Sequence, residues 1–378
     1  MHHFAGARRG TKELCSKEES ILGHYDKHQL TIMTTTQCNM HCVYCLTKAR
    51  KSGNAYRIDE TFARTIIRDY LSSCDRPWIR FYGAGEATIE IDMIKRLIDY
   101  ADNISTVPIY YELQTNVFFS LDVADYIGHK FNIVYVSIDG APNINDRQRL
   151  SNNDKSTSEI VVRNIKLLNK MTTLGVRATI TVLNVDKQRE MVDYFSTLGI
   201  KFMFSKPVLP SVGSNENLEY AVPLMTYAEN YLDAYRYAKN KGIFYGNIYI
   251  VNFDRKTDTF CRACHPYPHA TPDNYVSCCD RAFLSNIGLD ELLYGHYDVK
   301  SGSIVYNYDK IRKICNRKIQ NMAKCVNCSV NEFCGGACLG TAYQRNGDFY
   351  VPYDKECEVI KYLYDEIGND VVLGIFHP

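Results

Sequence analysis

The sequence predicts an α/β chain: a partial (β/α)6 barrel followed by a cysteine-rich C-terminal domain. Three observations predict it. Strand-like and helix-like patterns alternate from Gln29 to Pro207, the order of a parallel sheet with helical crossovers. Polar or glycine-containing segments follow the strands directly, where a parallel barrel builds its active site. Nine of the fifteen cysteines fall between Cys261 and Cys338, so the chain changes character beyond the barrel.

The elements follow in order. Residues 1–28 are polar without clear periodicity and read as a short extension. A β-rich run at 30–35 leads into Cys38, Cys42 and Cys45. Asp59 caps a helix whose Phe62, Ile66, Ile67, Tyr70 and Leu71 share one face. The second strand, 78–82, ends at Gly83-Ala84-Gly85-Glu86, and Met93, Ile94, Leu97 and Ile98 mark the next helix face. A third strand, 109–113, ends at Gln114-Thr115-Asn116, and a fourth, 133–138, at Asp139-Gly140. Val161, Ile165 and Leu168 mark a helix, 177–183 a fifth strand, 191–198 a helix, and 200–204 a sixth strand stopped by Pro207. Six such units leave the barrel open to a bulky substrate. A long helix over 223–239 carries Tyr227, Tyr231 and Tyr235 at i, i+4 spacing, a packed face with hydroxyls reaching polar partners. With a boundary near 245–258, the domains are the extension 1–28, the barrel 29–250 and the cysteine-rich domain 251–378.

Composition narrows the function. The 378 residues are 46% hydrophobic with a formal net charge of +1. Nothing in that balance calls for nucleic acid or an anionic membrane. The apolar runs are far short of a membrane span, and no signal peptide is visible. Clustered cysteines in a long chain read as metal ligands rather than disulfides, which implies a reducing cytoplasm.

The spacing of Cys38, Cys42 and Cys45 is Cys-x3-Cys-x2-Cys, with no fourth cysteine nearby. A cubane iron–sulfur cluster held by three thiolates keeps one iron open. An open position separates catalytic from structural metal sites. The second constellation runs Cys325-x2-Cys328-x5-Cys334-x3-Cys338, then Cys357, with Cys261, Cys264, Cys278 and Cys279 upstream. Eight of these are enough for two closed cubanes; zinc competes for a Cys-x2-Cys pair. Gly335 and Gly336 suit a tight turn between two ligands.

These motifs carry a resemblance. The first resembles the signature of the radical S-adenosylmethionine superfamily, and the second is similar to the SPASM domain with its two auxiliary 4Fe–4S clusters. The resemblance implies three 4Fe–4S clusters, the first held by Cys38, Cys42 and Cys45 with its open iron binding S-adenosylmethionine. It implies cofactor contacts from Tyr44, from Gly83, Gly85 and Glu86 of a Gly-Gly-Glu-like strand end (with Ala84 a departure), from Asn116, Ser137 and Asp139, and from Arg149 for the carboxylate. It implies Cys261, Cys264, Cys279 and Cys338 on auxiliary cluster I, and Cys325, Cys328, Cys334 and Cys357 on cluster II. Asn274 stands where relatives have glycine, a left-handed position that Asn tolerates, and Cys278 competes with Cys279. Cys15, Cys74 and Cys315 are left as free thiols or core residues, and His265 and His269 as loop residues near the clusters.

The implied activity is hydrogen abstraction from a peptide or protein by a 5′-deoxyadenosyl radical, leading to oxidation or crosslinking of a ribosomally made peptide. Sulfatase maturation, the oxidation of Ser or Cys to formylglycine, is the alternative; there Asp280, beside Cys279, would be the general base. A non-catalytic electron carrier is a third reading, which an open iron site argues against. The implied partners are an external electron donor such as flavodoxin or ferredoxin and a peptide substrate. Only 28 residues precede the first strand, so a leader peptide is expected to bind elsewhere or through a separate leader-binding protein.

Overall fold

The computed structural model describes residues 29–45, 55–209 and 217–371; the extension lies outside them. Seven parallel strands form its main sheet in sequence order: β1 (Gln29–Met33), β2 (Trp78–Tyr82), β3 (Tyr110–Thr115), β4 (Ile133–Ser137), β5 (Thr173–Ile180), β6 (Phe202–Pro207) and β7 (Phe244–Asn247). Between them run α1 (Glu60–Leu71), α2 (Ile91–Ile104), α3 (Leu121–Lys130), α4 (Pro142–Gln148), α5 (Ser158–Leu168), α6 (Gln188–Thr197) and α7 (Leu224–Asn240).

Strand parity divides the residues between two faces. Leu30, Ile32, Ile79, Phe81, Leu113, Val134, Val136, Val176 and Ile180 are buried in one core with the apolar faces of the helices. The alternate positions carry polar and aromatic side chains, and these meet one another. Gln29 donates to Glu112 (3.0 Å), and Arg80 donates to Thr31 (3.1 Å). They line the inner face, the lumen of an open barrel.

The chain then returns to β1. Strand β8 (His269–Ala270) pairs parallel with β1, and β9 (Tyr275–Ser277), β10 (Leu293–Asp298) and β11 (Ser303–Tyr306) continue antiparallel. The result is one eleven-stranded sheet with β11 and β7 at its ends. Helices α8 (Tyr308–Cys315), α9 (Asn331–Cys334), α10 (Leu339–Asn346) and α11 (Asp354–Ile367) complete the C-terminal part. Helix α11 lies on α7, tied there by Arg236–Glu366 at 2.7 Å. No helix among the described residues is long and apolar enough to cross a membrane.

Two expectations shift. Strand β5 starts four residues before the predicted 177, because Leu174, Val176, Ala178 and Ile180 form the buried row and Gly175 hides the period. A seventh parallel strand, β7, joins the predicted six; its four residues are too short to show a pattern. Other expectations hold locally. The tyrosines of α7 pack in a row, with Tyr227 bonding Ser205 (2.8 Å), Tyr231 the Tyr245 carbonyl (2.7 Å) and Tyr235 the Asp370 carbonyl (3.3 Å). Asn274 adopts φ +67°, and its side chain accepts from the Asp59 amide (2.9 Å). That bond fixes the residue at which α1 begins and supplies what glycine at this position cannot. Cys74 is buried in the core, whereas Cys315 is disulfide-bonded rather than free.

Replacing Tyr231 with Phe leaves the buried Tyr245 carbonyl without its donor. The expected cost is about 1–2 kcal/mol, read as a lowered urea midpoint, with Tyr231→Ala costing more through the cavity it opens.

Candidate active site

The segment after β1 has little regular structure of its own, so its shape comes from its neighbours. The Gly85 amide donates to Thr35 O (2.9 Å) and the Glu86 amide to Gln37 O (2.7 Å). From the α4–α5 side, His41 and Val43 amides donate to Leu150 O and Gln148 O, each at 2.9 Å. Asn152 closes onto Cys38 O at 2.7 Å. The approach at Gly85 is very close: a Cβ there would stand 1.9 Å from Gln37 O. Only glycine fits.

Glu86 is the fastening point. It is 3% exposed, and its Oε1 accepts from the Thr88 amide (3.1 Å), the Thr88 hydroxyl (2.7 Å) and the Thr115 hydroxyl (2.7 Å), while Oε2 accepts from the Asn116 amide (2.7 Å). The carboxylate thus welds the ends of β2 and β3 together. Asn116 in turn donates to Asn39 Oδ1 (2.8 Å) and approaches Cys38 Sγ at 3.8 Å. Ser137, at the end of β4, is half-buried.

On the other side of the triplet, Tyr44, Asp139 and Arg149 form a buried group. Tyr44 donates to Asp139 Oδ2 and accepts from Arg149 Nη1, both at 2.5 Å. Asp139 Oδ1 accepts from the Thr179 amide at 2.8 Å, which ties the group to β5. The Arg149 Nε is buried without a hydrogen-bond partner, so this guanidinium has a donor to spare.

Cys38, Cys42 and Cys45 are half-buried, and none of the three is in a disulfide. Burial, and then the Glu86 charge, push Cys38 up to about 12. Burial pushes Cys42 up to about 11 against the pull of Arg149. Thiolates at these positions need a bound cationic centre to offset that penalty. Three thiols on one braced loop, two of them so disfavoured as bare thiolates, fit a three-cysteine cubane. Among the described residues, no three His, Cys, Asp or Glu side chains converge on a single-ion position; a cubane takes its thiolates on separate irons.

The C-terminal cysteines fall into two groups. Burial raises the Cys261 thiol well above its usual value, with Cys264, Cys338 and Cys279 adding to it. Cys325, Cys328, Cys334 and Cys357 line one cavity. Cys278 is fully buried behind Cys279, while Cys279 faces Gly340, where a Cβ would lie 3.7 Å from its sulfur. Between Cys334 and Cys338 the backbone turns through three left-handed residues: Gly335 (φ +66°), Gly336 (+91°) and Ala337 (+58°). A Cβ on Gly335 would meet Thr259 O at 2.2 Å. Arg317, fully buried, spans the two groups: Nη1 lies 3.8 Å from Cys264 Sγ, and Nη2 donates to Gly336 O at 2.6 Å.

Asp280 does not pair with its neighbour Arg281, which binds Thr341 and Gln344. Its Oδ1 accepts from Arg80 and lies 2.9 Å from His269 Nε2. His269 is therefore a strand residue of the site, and its Nδ1 faces Tyr267 O at 2.8 Å. Burial raises the Asp280 carboxyl, but the Arg80 charge and the His269 hydrogen bond outweigh it and hold it well below the usual range. Tyr82 stands beside them; burial, then Asp280, push its phenol up to about 12 against Arg80 and Arg177. Arg80, Tyr82, His269, Arg177 and Arg317 belong to no motif. A polar residue alternating with buried apolar ones on a central strand was the only available signal for Arg80 and Arg177. His265 bonds Thr259 at 3.1 Å.

Substituting Gly85 with Ala sets a methyl group into the Gln37 carbonyl. The expected result is loss of about four irons per anaerobically reconstituted chain, measured by iron and sulfide analysis.

Comparison with known proteins agrees with this geometry. Residues 32–198 match the Radical SAM superfamily model. An uncharacterized protein of Methanocaldococcus jannaschii is 29% identical over 178 residues, 46% of this chain and 60% of that protein, so the chain spans under two thirds of that relative. A cysteine-type anaerobic sulfatase-maturating enzyme of Clostridium novyi is 22% identical over 329 residues, 80% of this chain and 85% of its own length. The radical SAM cyclopropyl synthase TigE of Paramaledivibacter caminithermalis is 21% identical over 371 residues, 88% of this chain and 72% of its own. Native anSMEcpe with bound AdoMet and Kp18Cys peptide superposes with TM-score 0.72 at 19% identity, over 91% of this chain and 99% of that one. Streptococcus suis SuiB bound to precursor peptide SuiA superposes with TM-score 0.61 at 15% identity, over 88% and 76%. Residues 32–198, with the braced Cys38–Cys45 loop at their start, thus carry the similarity to the Radical SAM superfamily.

Proposed function

We propose that the protein is a radical S-adenosylmethionine enzyme that oxidatively modifies or crosslinks a peptide. The observation that carries the reading is the pairing of two cysteine systems on one sheet. The open triplet follows β1, and the C-terminal cysteines return to the same strand through β8. Two relatives with solved structures, anSMEcpe and SuiB, hold peptides, which supports a peptide as substrate class.

In this reading Cys38, Cys42 and Cys45 hold a 4Fe–4S cluster that, with S-adenosylmethionine bound, supplies a carbon-centred radical able to take a substrate hydrogen. The chain's own residues position and shield. Glu86 keeps the ends of β2 and β3 rigid beneath the cysteine loop. Tyr44 and Asp139 orient Arg149, whose unused Nε suits a carboxylate. Cys261, Cys264, Cys279 and Cys338, and separately Cys325, Cys328, Cys334 and Cys357, are assigned to two auxiliary clusters that carry the substrate electron outward. Electrons for the first cluster come from an external donor such as flavodoxin or ferredoxin, in the cytoplasm.

Sulfatase maturation is kept as a second reading, because the Clostridium novyi relative is described as such an enzyme. Its weak point is Asp280. A carboxylate held by Arg80 and His269 so far below its usual range is a poor proton acceptor.

Two measurements test this. Reconstituted protein is expected to hold about twelve irons per chain and to release 5′-deoxyadenosine from S-adenosylmethionine under dithionite; no release overturns the enzyme reading. A Cys-x-Pro-x-Arg peptide is expected to stay unconverted. If formylglycine does form with Asp280 as base, the rate rises with pH through the Asp280 pKa. Arg80→Gln, which removes one of its two holding partners, then moves that acid limb upward toward the ordinary carboxylate range near 3.9.

A further inference from the structure

Among the described residues, the acids Glu112 and Asp280 beside the inner-face strands are each already engaged. Glu112 accepts from Gln29 at 3.0 Å and is 4% exposed. Asp280 is bound by Arg80 and His269. The basic side chains are not balanced in the same way. Arg177 projects from the central strand β5 between the buried Val176 and Ala178, yet is itself exposed. Its guanidinium lies 4.9 Å from the Tyr135 ring centre and 5.8 Å from that of Phe204. Those two rings meet edge to face at 5.8 Å. Arg177 has no hydrogen bond or ion pair to any acid among the described residues.

The position is informative. Arg177 pairs in register with Ser137 on β4 and Phe204 on β6. It is therefore level with the strand ends that carry the cofactor candidates, not at the closed end of the barrel. Tyr82, which feels Arg177, feels Cys45 and Asp280 as well. Lys206, two residues beyond Phe204 on the same face, is also exposed and makes no ion pair among the described residues. A guanidinium fixed between aromatic rings is pre-oriented, with its donor edge still available. Beside a bound peptide it would be cut off from water, and a cation so enclosed needs an anionic partner.

We propose that Arg177, supported by Lys206, is a carboxylate-recognition site that selects a peptide bearing an acidic side chain beside the residue to be modified. This rests on the peptide-modifying reading above. It deepens that reading by naming the substrate class, and it sets the site apart from one for a peptide recognised through a basic residue.

The test uses full-length, anaerobically reconstituted protein and two matched probes, N-acetyl-glutamate amide and N-acetyl-glutamine amide, followed by ligand-observed NMR with S-adenosylmethionine present. Wild type is expected to bind the glutamate probe about tenfold more tightly than the glutamine probe. Arg177→Gln is expected to remove that preference, and Arg177→Lys to keep part of it. Iron content and circular dichroism report whether each variant folds. Equal binding of the two probes by wild type overturns the proposal, as does an undiminished preference in Arg177→Gln. It is equally overturned if Arg177→Gln weakens S-adenosylmethionine binding while leaving the probe preference intact, because the guanidinium then serves the cofactor. Failure of wild type to release 5′-deoxyadenosine strikes the underlying reading instead, and is scored separately.

Discussion

The contact between Gly85 and the Gln37 carbonyl governs the whole site. The cysteine loop has no helix or strand of its own to set its shape. It is moulded by the end of β2 on one side and by the α4–α5 segment on the other. Because the β2 end comes so near, no side chain is tolerated at Gly85. Because Glu86 spends its carboxylate on Thr88, Thr115 and Asn116, that end of β2 cannot drift from β3. Thus a loop of few internal bonds acquires the rigidity of the sheet, which a metal centre requires of its ligands.

The same logic explains the C-terminal part. Strand β8 is only two residues long, yet it pairs with β1 and sets His269 beside Asp280, which follows β9 and binds Arg80 of β2. A buried guanidinium on a central strand needs an anion, and the C-terminal segment supplies it. The two regions of the chain are thus coupled by a charge pair as well as by the sheet. Arg317 plays a parallel part between the two cysteine groups, where a fully buried cation faces cysteine sulfur and backbone carbonyls.

Much of this was legible in the sequence, for identifiable reasons. Cysteine spacing is a local signal, so the triplet and the C-terminal set stood out. Alternating apolar rows announced β1 to β6, and the left-handed demand at Asn274 and Gly335 was visible as residue type. What could not be read was pairing across long separations. Arg80 and Asp280 are 200 residues apart, and neither looks unusual alone. The expectation that Asp280 would be a base came from its place beside Cys279; its partner lies on a distant strand. Strand β7 escaped for the opposite reason, being too short to show a period.

The central claim is that the braced triplet holds a cluster whose open iron takes S-adenosylmethionine. Electron–nuclear double resonance on the dithionite-reduced protein tests it most directly, using S-adenosylmethionine labelled with nitrogen-15 at the amino group and oxygen-17 at the carboxylate. The account predicts hyperfine coupling from both labels to the reduced cluster, lost when Cys42 is replaced by Ala. A cluster signal that does not change when the labelled cofactor is added would contradict it.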